Sequence, residues 1–379
     1  MRRFVIGVFL LLLVSPFFGW LLDLHVELKE NRFPAKAPEL ALSKLMEREF
    51  FPQLERFFDD HFVFRAWLIK TKSWIDYYVF RTPSSPLVHL GTDGWLYFRE
   101  TLHSYRKDEC DARDAMWDLA RRLHTLERVL LVSGRQFVFM VAPEKSTIYP
   151  EYVGLPRSRS GCKKSRYDFL LEAFADYPVM NFVRLDTILV QAKKEREVYY
   201  RTDTHWNSLG SLIASGALLR HLSPSRWMEL LPDTKPSTAS RIADLAQMLA
   251  LDFTVTVEDA ETVLYRTPVK VEGRKQLMNR RPRLRYTATS TPKMPLLPRA
   301  VFYHDSFGAE LTKFILGSFE QLDVYWTYDM LETPEAVEDL RSSRIVVVEV
   351  VERNLADLTV NPSAVAVVLA DDLAPHPPR

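Results

Sequence analysis

The chain has 379 residues, 47% hydrophobic and 26% charged, enough for one large globular domain or two smaller ones. A formal net charge of +1 excludes a global field that would draw it to nucleic acid or another polyanion. With 12 Gly and 23 Pro it is turn-rich without being low in complexity, and it carries no repeat at solenoid periods.

At the N-terminus, Arg2 and Arg3 precede an uncharged run from Phe4 to Leu22 that Asp23 closes. As a helix this run would span roughly 28 Å, the thickness of a bilayer core. The flanking charges place its start in the cytoplasm and the rest of the chain across the membrane. Phe17, Phe18, Trp20 and Leu22 are too bulky for a signal-peptidase site, so residues 1–23 are expected as an uncleaved signal anchor, with a cleaved leader and a buried helix as alternatives. A linker follows over 24–44.

From Glu39 to Phe80 the pattern is helical and strongly aromatic, expected to face a core rather than a lipid surface. Thr82 to Pro86 breaks it, and a strand and tight turn follow at Leu87 to Phe98 around Gly91-Thr92-Asp93-Gly94. Cys110 and Cys162, 52 positions apart, are expected to pair in an exported domain, free thiols being the alternative; neither CxxC nor Cys/His zinc spacing occurs.

Between 111 and 194 the pattern alternates. Helix at Asp111 to Ser133, a fully buried strand at Gln136 to Ala142, helix at Asp168 to Ala175, strand at Met180 to Leu185 and helix at Thr187 to Lys194 predict a doubly wound, mostly parallel α/β sheet. Residues 224–298 interrupt this with a short helix and four strand patterns, expected as an inserted β-rich subdomain. Its basic cluster, Arg274, Lys275, Arg280, Arg281, Arg283 and Arg285, is a solvated face or a contact for anionic polysaccharide or headgroups. The α/β rhythm resumes from Ala300, and residues 361–379 are expected as a C-terminal strand and tail.

Two stretches carry chemistry. Asp203-Thr204-His205-Trp206-Asn207 sets an acid and an imidazole two residues apart before a helix whose N-cap is Asn207 or Ser208. Tyr303-His304-Asp305-Ser306-Phe307-Gly308 puts a serine where a buried strand turns into a helix. Ligands of open α/β sheets bind beyond the carboxyl ends of the strands, where both stretches fall. Ser306 is then the nucleophile, His205 its base, and Asp203 the group that fixes the imidazole. Oxyanion donors are sought first in the Ser306 and Phe307 amides, with Arg353 and Asn354 as side-chain donors. Asp-x-His also opens binuclear metal sites, but these need His-x-His or Asn-His partners that are absent among nine His, so no metal is assigned. No nucleotide-binding glycine motif is present and no cofactor is expected.

These residues resemble the AlgJ/AlgX-type alginate O-acetylation family of the SGNH hydrolase-like superfamily. The resemblance rests on Gly91 to Tyr97, Pro143-Glu144-Lys145-Ser146, Asp203 to Asn207, Asp244-Leu245-Ala246, His304 to Gly308 and Val351-Glu352-Arg353, in that order. It implies an SGNH-like fold with permuted motif order over about 45–360, and a Ser306–His205–Asp203 triad. It further implies a periplasmic, inner-membrane-anchored O-acetyltransferase acting on a secreted polysaccharide. An MBOAT-type membrane acyltransferase would supply the acetyl group. An acetylesterase, or an inactive polysaccharide-binding scaffold, is the alternative. His304 stands where many superfamily members have Gly.

Overall fold

A computed structural model describes residues 2–22, 35–39, 41, 43–44, 46–62, 64–157, 162–237, 240–251, 254–256, 260–273, 283–291 and 294–370. Most of the expected linker, the basic residues Arg274, Lys275, Arg280 and Arg281, and the tail beyond 370 lie outside the described residues. The chain forms two compact units, Met1–Leu90 with Ile242–Phe253, and Gly91–Arg241 with Thr254–Arg379.

In the first unit Arg2–Leu21 is helical, although its side chains at 8, 12, 13 and 15–21 are not described. Among the described residues no helix is long and apolar enough to cross a membrane. Phe50–His61 and Arg65–Ile75 are helices, but the aromatic run does not face a core as expected. Phe51, Phe58, Trp67 and Trp74 are each more than half exposed. The cause is visible in the spacing: Phe50/Phe51 and Phe57/Phe58 are adjacent pairs, and adjacent helical positions point roughly 100° apart, so one face cannot bury both.

The second unit is built on seven strands, β1 (Gln136–Ala142), β2 (Phe182–Arg184), β3 (Val269–Gly273), β4 (Leu284–Ala288), β5 (Ala300–Tyr303), β6 (Gln321–Tyr325) and β7 (Ile345–Val351), in spatial order β2-β1-β7-β5-β6-β4-β3. β2, β1, β7, β5 and β6 run parallel. The central pair aligns Ile345 with Gln136 through Val351 with Ala142. Near-continuous apolar runs in β1 and β7 follow from burial on both faces. Phe137, Phe139, Val141, Val346, Val348 and Val350 pack to one side, with helices α1 (Arg113–Val132), α2 (Arg166–Asp176) and residues further along the chain. Val138, Met140, Ala142, Ala300 and Phe302 pack to the other, against α3 (Ser208–Leu222) and α4 (Ser306–Ile315).

The stretch 224–298 is not one separate subdomain. Asp233–Ser237 pairs antiparallel with Ala260–Leu264, Ile242–Phe253 belongs to the first unit, and β4 and β3 extend the main sheet antiparallel to β6. An unpaired β6 edge would expose a row of N–H and C=O groups; β4 covers it. Of the basic cluster, Arg283 and Arg285 are not a free face: with Arg299 they pair to the buried carboxylates of Asp323 and Asp339. The expected C-terminal strand is a helix, Pro362–Val368, because Pro362 suits a first helical turn and Asn361 caps it by accepting from the Ala364 amide at 3.1 Å. Cys110 and Cys162 form a disulfide, tying the chain before α1 to the segment before α2.

Candidate active site

At the carboxyl rim of the parallel strands, two loops carry the residues of interest. The first, 199–207, is drawn in by Lys145, which follows β1. Its ammonium is buried and donates to the carbonyls of Tyr200 (3.2 Å), Arg201 (3.1 Å) and Asp203 (2.7 Å). The rings of Trp95 and Tyr97 lie 5.7 Å and 5.2 Å from the same nitrogen. No carboxylate is needed to hold a charge that three carbonyl dipoles and two π-faces surround. Trp95 is itself seated by the turn before it, whose Asp93 and Gly94 adopt left-handed φ of 53° and 77°.

On the loop so fixed, Asp203 is 1% exposed and its Oδ1 accepts from His205 Nδ1 at 2.7 Å and from the His205 amide at 3.0 Å. The carboxylate thereby sets the tautomer and turns Nε2 outward from the pair. Asn207 ends the loop as the cap of α3, accepting from the Gly210 amide at 2.9 Å.

The second loop joins β5 to α4, and Ser306 is the first residue of α4. Asp305 caps the helix: Oδ1 accepts from the Phe307 amide at 2.9 Å, while Oδ2 accepts from the Val351 amide at 2.7 Å and the Tyr328 hydroxyl at 2.6 Å. Gly308 admits no side chain, since a Cβ there would stand 2.6 Å from Glu349 Oε2 and 2.4 Å from His304 Cβ. The Phe307 ring joins the two loops. It lies 4.8 Å from the His205 ring and 5.1 Å from Trp206, with the Arg353 guanidinium 5.5 Å from its centroid. Packing thus brings the serine-bearing turn and the imidazole, about a hundred positions apart in sequence, onto one aromatic ring.

Three of the expected oxyanion donors are otherwise engaged. The Phe307 amide is taken by Asp305, Arg353 Nη1 donates to Glu144 Oε1 at 2.8 Å, and Asn354 Nδ2 lies 3.2 Å from the Tyr328 hydroxyl and 3.5 Å from Asp305 Oδ2. Lys145, Glu144, Glu352 and Glu349 had no assigned role in the sequence. A carboxyl inside the otherwise apolar register of β7 was the available signal for Glu349, and polar residues close after buried strands were the signal for the others. Burial, with the Asp305 carboxylate second, pushes Glu349 far above the usual carboxylate range. Burial, with Glu144 second, raises Glu352 to about 7; its Oε2 accepts from the Glu144 amide and the Thr147 hydroxyl at 3.0 and 2.7 Å.

A parallel-centred sheet, a carboxylate-held imidazole at its rim and a serine at the head of the facing helix define the SGNH hydrolase-like class. The family model for the SGNH hydrolase-like domain of acetyltransferase AlgX matches residues 88–282, and the chain belongs to that family. The probable alginate O-acetylase AlgJ of Pseudomonas putida is 30% identical over 199 residues, covering 50% of this chain and 49% of that protein. Its Pseudomonas aeruginosa counterpart is 33% identical over 146 residues, covering 37% and 34%. The chain therefore spans about half the length, or less, of these curated relatives. The solved O-acetyltransferase domain of P. putida AlgJ overlaps at a TM-score of 0.49 and 21% identity, covering 75% of this chain and 99% of that one.

Proposed function

We propose that this chain is an O-acetyltransferase that moves acetyl groups onto hydroxyls of a secreted polysaccharide through an acetyl-Ser306 intermediate. The observation that carries the reading is the buried Asp203 carboxylate 2.7 Å from His205, whose ring packs on Phe307 beside Ser306. His205 takes the Ser306 proton as Oγ attacks the acetyl carbon. The donor's C–O bond breaks and its oxygen leaves with that proton. A sugar hydroxyl then repeats the sequence in reverse, with His205 as base and Ser306 as leaving group. Asp203 stabilises the imidazolium formed in each half. At the positive end of α4 the Ser306 amide supplies oxyanion stabilisation, since Asp305 takes the Phe307 and Ala309 amides and Glu349 takes the Gly308 amide.

Acetyl-CoA is cytoplasmic, whereas a disulfide and a hydrophobic leader suit an exported domain. The donor is then an MBOAT-type membrane acyltransferase, the run Phe4 to Leu22 is the inner-membrane anchor, and the second unit works in the periplasm. The relatives named alginate O-acetylase support a polysaccharide acceptor. Mass spectrometry of the chain after exposure to an activated acetyl ester tests the reading. An adduct of one acetyl on Ser306, discharged faster by an oligosaccharide than by water, is expected. An adduct elsewhere, or none, overturns it.

A further inference from the structure

A cavity of about 310 Å³ opens where α4 leaves the antiparallel side of the sheet uncovered, between β4, β6 and the helix. Leu284, Tyr286, His304, Ala309, Val324 and Trp326 line it. Its place relative to Ser306 follows from helix geometry. At roughly 100° per residue, Phe307 falls on one flank of Ser306 and Ala309 on the other. Phe307 is the residue that His205 packs against. The cavity therefore flanks Ser306 on the side away from the imidazole, where the acyl portion of a serine ester would lie.

The chemistry of the walls selects the occupant. Thr312 also borders the cavity, but its hydroxyl already donates to the Gly308 carbonyl at 2.8 Å, and His304 Nδ1 donates to the Asp305 carbonyl at 2.5 Å. Tyr286 and Trp326 add a hydroxyl and an indole N–H at the walls, but a sugar ring placed against Leu284, Val324 and Ala309 would still leave most of its hydroxyls without partners, at a cost of about 1–3 kcal/mol each. An alkyl chain loses nothing there and gains about 0.8 kcal/mol per buried methylene. The volume is at the lower end for a ligand pocket and suits a short chain.

We infer that this cavity is an acyl-chain subsite, receiving the alkyl end of acyl groups longer than acetyl while their carbonyl carbon is bonded to Ser306. This rests on Ser306 being the nucleophile. An ester R–CO–OR′ transfers its acyl carbon to Ser306 Oγ, the bond to OR′ breaks, the serine proton leaves on R′O through His205, and R lies in the cavity.

The test compares p-nitrophenyl acetate with p-nitrophenyl hexanoate on the full chain. The wild type is expected to turn over hexanoate with a kcat/KM within thirtyfold of acetate, or above it. Ala309→Phe, which fills the cavity, lowers the hexanoate-to-acetate ratio at least fivefold; Ala309→Leu covers the case that the larger residue prevents folding. A larger wild-type bias against hexanoate, or a smaller change in a folded variant, overturns the inference. If neither ester is turned over, the nucleophile assignment fails, and the cavity is read by sodium hexanoate binding. Saturable fluorescence change at millimolar hexanoate, absent in Trp326→Phe and in the Ala309 variants, supports it. No saturation, or saturation by methyl glucoside instead, sinks it.

Discussion

Asp203 and Asp305 are both buried carboxylates at the mouths of helices, each one or two residues from a group with a chemical role, and they do different work. Asp203 directs Oδ1 at an imidazole and the amide beneath it. Asp305 is ringed by main-chain amides and a phenol. The first can follow a change of charge on its partner. The second holds a turn still. What a carboxylate does at a strand end is decided by which donors lie within 3 Å, not by its neighbour in sequence.

Substitutions can break that contrast. Ser306→Ala and His205→Ala should each lower ester turnover by about 10⁴-fold or more with the melting temperature little changed. Asp203→Asn should follow at roughly 10³-fold, because an amide can bind the wrong tautomer of His205. Asp305→Asn should show the opposite balance, turnover within about tenfold but stability lower by ~1–2 kcal/mol through the lost cap and the Val351 and Tyr328 contacts. If Asp305→Asn is the variant that loses turnover and Asp203→Asn the one that melts early, the roles are reversed.

Much of this contrast could be read in the chain. The parallel sheet was legible because strands buried on both faces are written as near-continuous apolar runs, as in Phe137 to Ala142 and, around Glu349, in Ile345–Val351. Asn207 and the serine-headed helix were legible because caps have local signatures. The antiparallel extension by β4 and β3 was not, since alternation predicts a strand but not the edge it joins. Nor were the donors lost to Tyr328 and Glu144, because hydrogen bonds spanning 26 and 209 positions leave no trace in spacing, whereas the Phe307 amide lies only two positions from its Asp305 cap. The exposed aromatics of the first unit show the reverse error, a composition read as core where the geometry allowed only half of it.

Two smaller effects sharpen the picture of the rim. Glu352 titrates near 7 in the folded chain, above its ordinary 4.5, so folding favours its neutral form. Its contribution is complete below about pH 4.5 and is lost as pH rises through 7, worth up to ~3 kcal/mol. Denaturant unfolding between pH 4.5 and 8 should show this decline, and Glu352→Gln should flatten it; an equal slope in both proteins would assign the titration elsewhere. Lys145→Met should cost ~1–3 kcal/mol by stranding three carbonyls. Its turnover should fall about tenfold through kcat, and Lys145→Arg should restore little, since a planar guanidinium does not match three converging acceptors.

The proposed acyl transfer would be exposed to a side reaction: amines capture acyl carbons irreversibly as amides. Lys145 follows β1, yet its nitrogen donates to three carbonyl oxygens and lies near two aromatic rings. Held so, it has no lone pair to offer. The clamp that shapes the histidine loop also keeps a competing nucleophile silent.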